Sequence, residues 1–339
     1  MTIKLLILFY FFFFSFLANC CNNNVVEKQN TANVAIESFL NQYERPFTFL
    51  DLSGVGNIRS FFSIARKYDA VFIMIDDFVK RSNLSCKHVI DLCKKSCLDN
   101  IILLDVDPVA CLQRLSECEH FDVVLLRNVV SRFSNKSEQM INIALSMSDN
   151  VIVEVFCNNC DGKERVINYL SSKNAQLLER MRSSDIYLLE NKFHVLKRKI
   201  WFTRLFNKND YVITSNFKEK FLNKKVKREQ VVSEWIQGIN LVTFKMCRGI
   251  YPECETTKNS IIGLSGVEHN DWLPCNMVIQ GRSVELIDFD DPRDNKTRRR
   301  LFGEKLLSKI LKFVSIDDPK EAESFFWKGV IYCRKDCGK

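Results

Sequence analysis

The strongest constraint on the fold is an alternation of apolar runs and helix-like segments between residues 47 and 156. The apolar runs read FTFL, AVFIMI, IILL, FDVVLL and NVIVEVF, and they are continuous rather than alternating. Continuous apolar runs predict strands that are covered on both faces. The intervening segments carry apolar residues three and four apart, which is typical of amphipathic helices. The pattern predicts an α/β fold with a Rossmann-like, doubly wound parallel sheet.

Polar residues stand where the predicted strands end. The carboxyl ends of parallel strands meet at one edge of a sheet, and ligands bind there beside the switch in strand order. Glycines in the loop after the first strand let the backbone approach a ligand closely. A strand-terminal Asp can equally cap the next helix without any ligand, so both interpretations stay open for each one. The strand-end residues are Asp51, Asp76, Asp77, Asp105, Asp107, Arg127 and Asn128.

These motifs together resemble the class I S-adenosylmethionine-dependent methyltransferases over about residues 47–156. FLDLSGVGN corresponds to the methionine loop, VFIMIDD to the ribose acid, IILLDVDP to the adenine-side strand and FDVVLLRNVVSRF to the fourth-strand motif. The resemblance implies S-adenosylmethionine as cofactor, with Asp76 on the ribose and Asp105 near the adenine. The other implied cofactor-binding residues are Asp51, Gly54, Gly56 and Asn128.

The loop after the first strand departs from the family's acid followed by Gly-x-Gly-x-Gly. It reads Ser53, Gly54, Val55, Gly56, Asn57, so branched Val55 stands close to the expected methionine portion. Methyl transfer depends mainly on in-line positioning and needs a base only for poor nucleophiles. The sequence offers no evident base.

The segment 269–291 carries a second set of polar residues. His269-x-Asp271, Asn276 and Asp288 resemble the catalytic segment of protein kinases and aminoglycoside phosphotransferases, over about residues 231–292. The resemblance implies that Asp271 accepts the substrate hydroxyl proton and that Asn276 and Asp288 hold magnesium on ATP. MVIQGRSVELID predicts two strands around a turn at Gly281. The alternative is a hairpin with merely solvated polar ends.

A working kinase also needs a glycine-rich loop over the phosphates. Residues 200–235 contain no Gly. The sequence therefore predicts a reduced, degenerate kinase-like module, and kinase activity with magnesium-ATP is not expected. The predicted organisation is a leader at 1–21, a methyltransferase-like domain at 34–200 and a small α+β kinase-like domain at 201–339.

The N-terminus is apolar from Leu5 to Phe14, which fits the h-region of a signal peptide better than a full membrane span. Residues 1–21 are predicted to be a signal peptide or a short anchor. The stretch 17–20 also resembles a bacterial lipoprotein box, apart from Asn19. The protein is expected to be exported or associated with a membrane through this segment, with a cytoplasmic location left open.

The 14 Cys are scattered rather than spaced as a disulfide framework or a zinc site, so most are interpreted as packing residues. A redox role for the Cys-x-x-Cys at 157–160, and disulfides in an exported protein, remain alternatives. The net charge of +8 suits an anionic ligand or an acidic surface. No aromatic-interleaved basic stripe is present, so a nucleic-acid partner is not expected.

The predicted domain order resembles that of bifunctional enzymes that phosphorylate and methylate the end of bacterial O-antigen. That resemblance implies a small-molecule or glycan acceptor, such as a surface polymer. Two functions follow from the sequence. The first is a methyltransferase with a degenerate kinase-like module, and the second is an exported, non-catalytic scaffold that keeps both folds.

Overall fold

The computed structural model of the protein describes a discontinuous set of residues. These are residues 32–44, 46–54, 57–77, 86–96, 98–156, 162–182, 184–191, 217–219, 233–235, 238–250, 254–264, 274, 277–286 and 298–326. The N-terminal segment 1–21 and the Cys-x-x-Cys at 157–160 lie outside them. None of the helices in these ranges has the length and apolar composition needed to cross a bilayer.

Strands and helices alternate along the first half of the chain as the sequence predicts. The strands are β1 (Phe47–Asp51), β2 (Ala70–Asp76), β3 (Ile101–Asp105), β4 (Phe121–Leu126), β5 (Ser148–Phe156), β6 (Gln176–Arg180), β7 (Ser184–Glu190), β8 (Phe217–Glu219), β9 (Ser233–Trp235), β10 (Ile239–Asn240), β11 (Gly249–Ile250), β12 (Met277–Ile279) and β13 (Val284–Leu286). The helices are α1 (32–40), α2 (Ile58–Ala65), α3 (Cys86–Lys95), α4 (Pro108–Cys118), α5 (Val129–Phe133), α6 (Ser137–Ser146), α7 (Lys163–Ser172), α8 (Leu241–Met246), α9 (Cys254–Gly263), α10 (Arg298–Ser315) and α11 (319–326).

The main sheet has the strand order β11-β3-β2-β1-β4-β5-β7-β6. Strands β1 to β5 pair in parallel, whereas β7 pairs antiparallel with both β5 and β6. The order changes direction at β1, which lies between β2 and β4. The predicted doubly wound, Rossmann-like fold is therefore confirmed.

The apolar runs are continuous because both faces of the sheet are buried. Successive strand residues project to opposite faces, and they fall alternately into two hydrophobic clusters. One cluster contains Phe49, Met74, Leu103, Leu125 and Ile152 with side chains of α1, α2 and α3. The other contains Leu50, Ile73, Ile102, Val124 and Val151 with side chains of α4, α6 and α7.

The C-terminal part of the chain packs into the second of these clusters. Phe244 of α8 and Phe313 of α10 belong to the same continuous core as Leu112 of α4. Strands β10, β12 and β13 form a separate three-stranded sheet, in which β12 and β13 are an antiparallel hairpin. The turn predicted at Gly281 is confirmed by its φ of 89°. The domain boundary near residue 200 stays a prediction.

The turn of the β12–β13 hairpin packs against the loop that precedes β3. The backbone N–H of Arg282 donates to the carbonyl of Asp99 (3.0 Å), and its guanidinium lies 3.1 Å from the Asp99 carboxylate. A Cβ at Gly281 would lie 1.9 Å from the same carbonyl oxygen. Only a residue without a side chain allows this approach.

We predict that Gly281→Ala lowers the free energy of unfolding by about 2–4 kcal/mol. The reasons are the left-handed φ and the collision with the Asp99 backbone. Urea unfolding followed by circular dichroism measures the change. Gly263→Ala is the matched control, because a Cβ there meets no atom within 4 Å. It should leave stability unchanged or slightly higher, and equal effects of the two substitutions would contradict the prediction.

Candidate functional site

Three carboxylates stand in a row at the carboxyl edge of the main sheet. Asp51 ends β1, Asp76 ends β2 and Asp105 ends β3. Asp76 and Asp105 are direct register partners, and Asp51 is the partner of Met74, two residues before Asp76. Paired residues of parallel strands project to the same face, so all three acids belong to the face that α1, α2 and α3 cover. Neighbouring strands lie about 4.8 Å apart, so the structure brings these predicted residues together.

Asp51 organises the loop that follows β1. Its side chain is buried, with 2% exposure, and its Oδ1 accepts from the backbone N–H of Ser53 (2.6 Å) and from the Ser53 hydroxyl. The next residue, Gly54, has a φ of 82°, which favours glycine. The chain therefore turns tightly over the end of β1, as a loop that approaches a ligand must. Val55 and Gly56 lie outside the described residues.

The two acids at the end of β3 have different surroundings. Asp107 is exposed and caps α4, because its Oδ1 accepts from the N–H groups of Val109 (2.9 Å) and Ala110 (3.1 Å). The capping interpretation is thus confirmed for Asp107. Asp105 is half-buried and belongs to the acid row instead. On β2, buried Asp76 accepts from the backbone N–H of Asp77 (3.0 Å).

Asn128 follows β4, the strand on the other side of β1. It has a φ of 56° and is half-buried. The left-handed backbone turns the chain sharply after β4 and places Asn128 at the switch in strand order. Asn128 thus lies at the same sheet edge as Asp51, in agreement with its predicted place.

A buried charged pair lies beside Asp51 and was not predicted from the sequence. The Arg127 guanidinium is 3% exposed; its Nη2 donates to Oδ1 of Asn33 in α1 (2.7 Å). Its Nε lies 3.8 Å from Oε2 of Glu154, and neither atom has a hydrogen-bond partner among the described residues. A Glu inside the apolar run NVIVEVF is the sequence signal that could have revealed the pair, because a lone carboxylate is rarely buried.

Burial and several neighbouring groups shift the pKa of the Glu154 carboxyl. Burial raises its pKa above the ordinary value, whereas the nearby Arg127 guanidinium and the hydrogen bond from the Ser184 hydroxyl to Oε1 (3.1 Å) lower it. The negative charge of Asp51 raises the pKa further. Asp51 of the acid row and Glu154 of the buried pair therefore interact electrostatically.

The sheet edge can hold a polar ligand through these groups. Carboxylates accept hydrogen bonds from hydroxyl and amino groups, and the chain turns tightly at Gly54, next to Asp51. An adenosyl group presents ribose hydroxyls and an adenine amino group, so the donors and acceptors match. The residues present therefore fit S-adenosylmethionine.

A groove of about 370 Å³ lies on the outer surface between α2 and α3. Its lining contains none of the strand-end acids, and its charged residues are Arg59 and Arg66. The polar chemistry lies at the sheet edge, so we take the acid row as the candidate site.

The predicted phosphotransfer residues His269, Asp271, Asn276 and Asp288 lie outside the described residues. The described part of that segment is the hairpin between them, in which Met277 is paired with Leu286. The strand–turn–strand prediction is confirmed. The roles of Asp271 as catalytic residue and of Asn276 and Asp288 as magnesium ligands stay predictions.

Three buried thiols agree with the packing interpretation of the cysteines. Cys93, Cys111 and Cys247 are free and buried in the hydrophobic clusters. Burial raises the pKa of the Cys93 thiol to about 12, which makes its thiolate scarce at neutral pH.

No model of a known protein family and no curated protein matches this sequence. Solved structures do show similarity in the arrangement of the chain. The bifunctional kinase-methyltransferase WbdD is 13% identical, with a TM-score of 0.37 over 77% of this chain and 74% of that chain.

Two further solved structures are of methyltransferases. The S-adenosylmethionine-dependent methyltransferase from Agrobacterium tumefaciens is 13% identical, with a TM-score of 0.33 over 48% of this chain and 62% of that chain. The 1,6-didemethyltoxoflavin-N1-methyltransferase from Burkholderia thailandensis, with bound S-adenosylhomocysteine, is 12% identical, with a TM-score of 0.34 over 52% of this chain and 85% of that chain. Similarity at this level assigns neither a substrate nor a site residue.

We predict that Glu154→Gln changes how stability depends on pH. A carboxyl with a raised pKa in the folded state holds its proton more tightly there than in the unfolded chain. The wild type should therefore lose stability relative to the Gln variant as pH rises from the ordinary value of 4.5 through the raised pKa. Urea unfolding of both proteins between about pH 4 and pH 8 measures the difference. Parallel stability profiles would refute the raised pKa of Glu154.

Proposed function

We propose that the chain is an S-adenosylmethionine-dependent methyltransferase-like protein whose cofactor lies across the carboxyl ends of β1, β2 and β3. The proposal depends on one observation, the row of Asp51, Asp76 and Asp105 on a single face of neighbouring strands at the switch in strand order. Ligands of open α/β sheets bind at such edges. The motif resemblance in the sequence supports the same cofactor independently of the register.

Each site residue then has a definite task. Asp76 accepts hydrogen bonds from the ribose hydroxyls, and Asp105 contacts the adenine side. Asp51 and Gly54 shape the loop beside the methionine portion, with Gly56 in the same loop and Asn128 on the far side of the switch. When bound, the cofactor supplies the activated methyl group. The protein orients it and keeps water away, which is the main requirement of methyl transfer.

We further propose that the C-terminal part is a degenerate kinase-like module that holds or positions the acceptor. The hairpin β12–β13 and helix α8 support a compact module against the β3 edge, and the motif around Asp271 supports its origin. The proposed acceptor is a glycan or surface polymer. Export or membrane attachment through residues 1–21 belongs to the same proposal.

The cofactor assignment is tested by isothermal titration calorimetry with S-adenosylhomocysteine. The wild type should bind, and Asp76→Asn should weaken binding about 10-fold or more, because a hydrogen bond to a charged group is lost. The Asn side chain keeps an oxygen for the N–H of Asp77. Asp107→Ser is the matched control, since it removes a neighbouring carboxylate but retains the helix cap. If neither the wild type nor Asp76→Asn binds S-adenosylhomocysteine, the result would support the non-catalytic scaffold instead.

The degenerate state of the kinase-like module is tested by thermal shift with magnesium-ATP. We expect no shift of Tm for the wild type or for Asp288→Ala, because residues 200–235 provide no glycine-rich loop over the phosphates. S-adenosylhomocysteine in the same assay is the positive control. A shift with magnesium-ATP in the wild type that Asp288→Ala abolishes would contradict the proposal.

A further inference from the structure

Strand β11 brings a residue of the C-terminal part of the chain to the acid row. Gly249 pairs with Leu104 and Ile250 with Leu103 in antiparallel register. The register extends by one residue, because the N–H of Asp105 donates to the carbonyl of Arg248 (3.1 Å). Arg248 thus stands opposite Asp105, which itself stands opposite Asp76.

The backbone position of Arg248 is fixed from both sides. The preceding helix α8 is held by the guanidinium of Arg114, whose Nη1 donates to the carbonyl of Met246 (3.1 Å). The following Gly249 packs under Phe244, and a Cβ there would lie 2.2 Å from the ring. Arg248 therefore cannot move away from Asp105 without separating α8 and β11 from the main sheet.

The conformation of Arg248 is unusual for an arginine. Its φ is 51°, a left-handed backbone in which Cβ is disfavoured and which glycine adopts most readily. Its side chain is exposed and makes no hydrogen bond or ion pair with another residue in the described part of the chain. The packing around it therefore does not require a guanidinium.

We propose that Arg248 is a specificity-determining residue of the cofactor site and that its guanidinium stacks on the purine ring of the bound adenosyl group. This role rests on the proposed function. The carboxylates of Asp76 and Asp105 contact the edges of a nucleoside, and they leave the faces of its ring uncovered. A planar guanidinium stacks on aromatic rings and bases. The backbone of Arg248 lies opposite Asp105, the acid that is assigned to the adenine.

The proposal also explains why a residue from the second half of the chain reaches this edge. The N-terminal half supplies the acids, and α8 with β11 supplies the covering side chain. Adenosyl binding should therefore depend on a residue that a separate methyltransferase domain ending near residue 200 would lack.

The test compares S-adenosylhomocysteine binding by calorimetry in the full chain and in Arg248→Gly. Glycine adopts the left-handed backbone, so Tm should stay the same or rise while affinity falls about 3- to 30-fold. Arg248→Lys keeps the charge but lacks the planar face. Its affinity should fall almost as far as that of Arg248→Gly. Arg66→Ala, directly after α2, removes the same charge from another exposed position and should bind like the wild type.

The outcomes separate this role from the proposed function. If the wild type binds and Arg248→Gly binds equally well, the role of Arg248 is wrong while the cofactor assignment stands. If Arg248→Lys binds like the wild type, charge and not stacking is responsible, and the stacking is wrong. If Arg248→Gly loses both affinity and Tm, the residue is structural and the proposal fails. If the wild type does not bind, the proposed function itself fails.

Discussion

Parallel pairing between β1, β2, β3 and β4 sets the position of every candidate site residue in the first half of the chain. The register makes Asp76 and Asp105 direct partners and keeps Asp51 on the same face. A shift of one residue in β1, β2 or β3 would turn its terminal carboxylate to the other face. The hydrophobic burial on both sides of the sheet prevents such a shift, so the core and the site depend on the same pairing.

The buried pair of Arg127 and Glu154 is the unusual feature of this edge. Removing two charges from water costs free energy that a 3.8 Å separation without a hydrogen bond recovers poorly. The pair lies among apolar side chains of β4 and β5 but next to Asp51, whose charge raises the pKa of Glu154. Unsatisfied polar groups of this kind concentrate where proteins bind ligands. The location thus agrees with a site at the carboxyl edge.

The C-terminal part of the chain is integrated with the main sheet. Its apolar side chains join one of the two sheet clusters, and β11 pairs with the otherwise open edge of β3. Covering a sheet edge removes a row of unpaired backbone groups that would invite other chains. The same pairing places Arg248 opposite Asp105.

The sequence by itself determined the strands of the first half of the chain, the helices between them, the turn at Gly281 and the acids at the strand ends. Those features follow from local periodicity and local turn chemistry. Only the tertiary structure decided that Arg127 meets Glu154 and that Arg248 stands opposite Asp105. Strand register and edge pairing join residues far apart in the chain, and they depend on packing that no local pattern records.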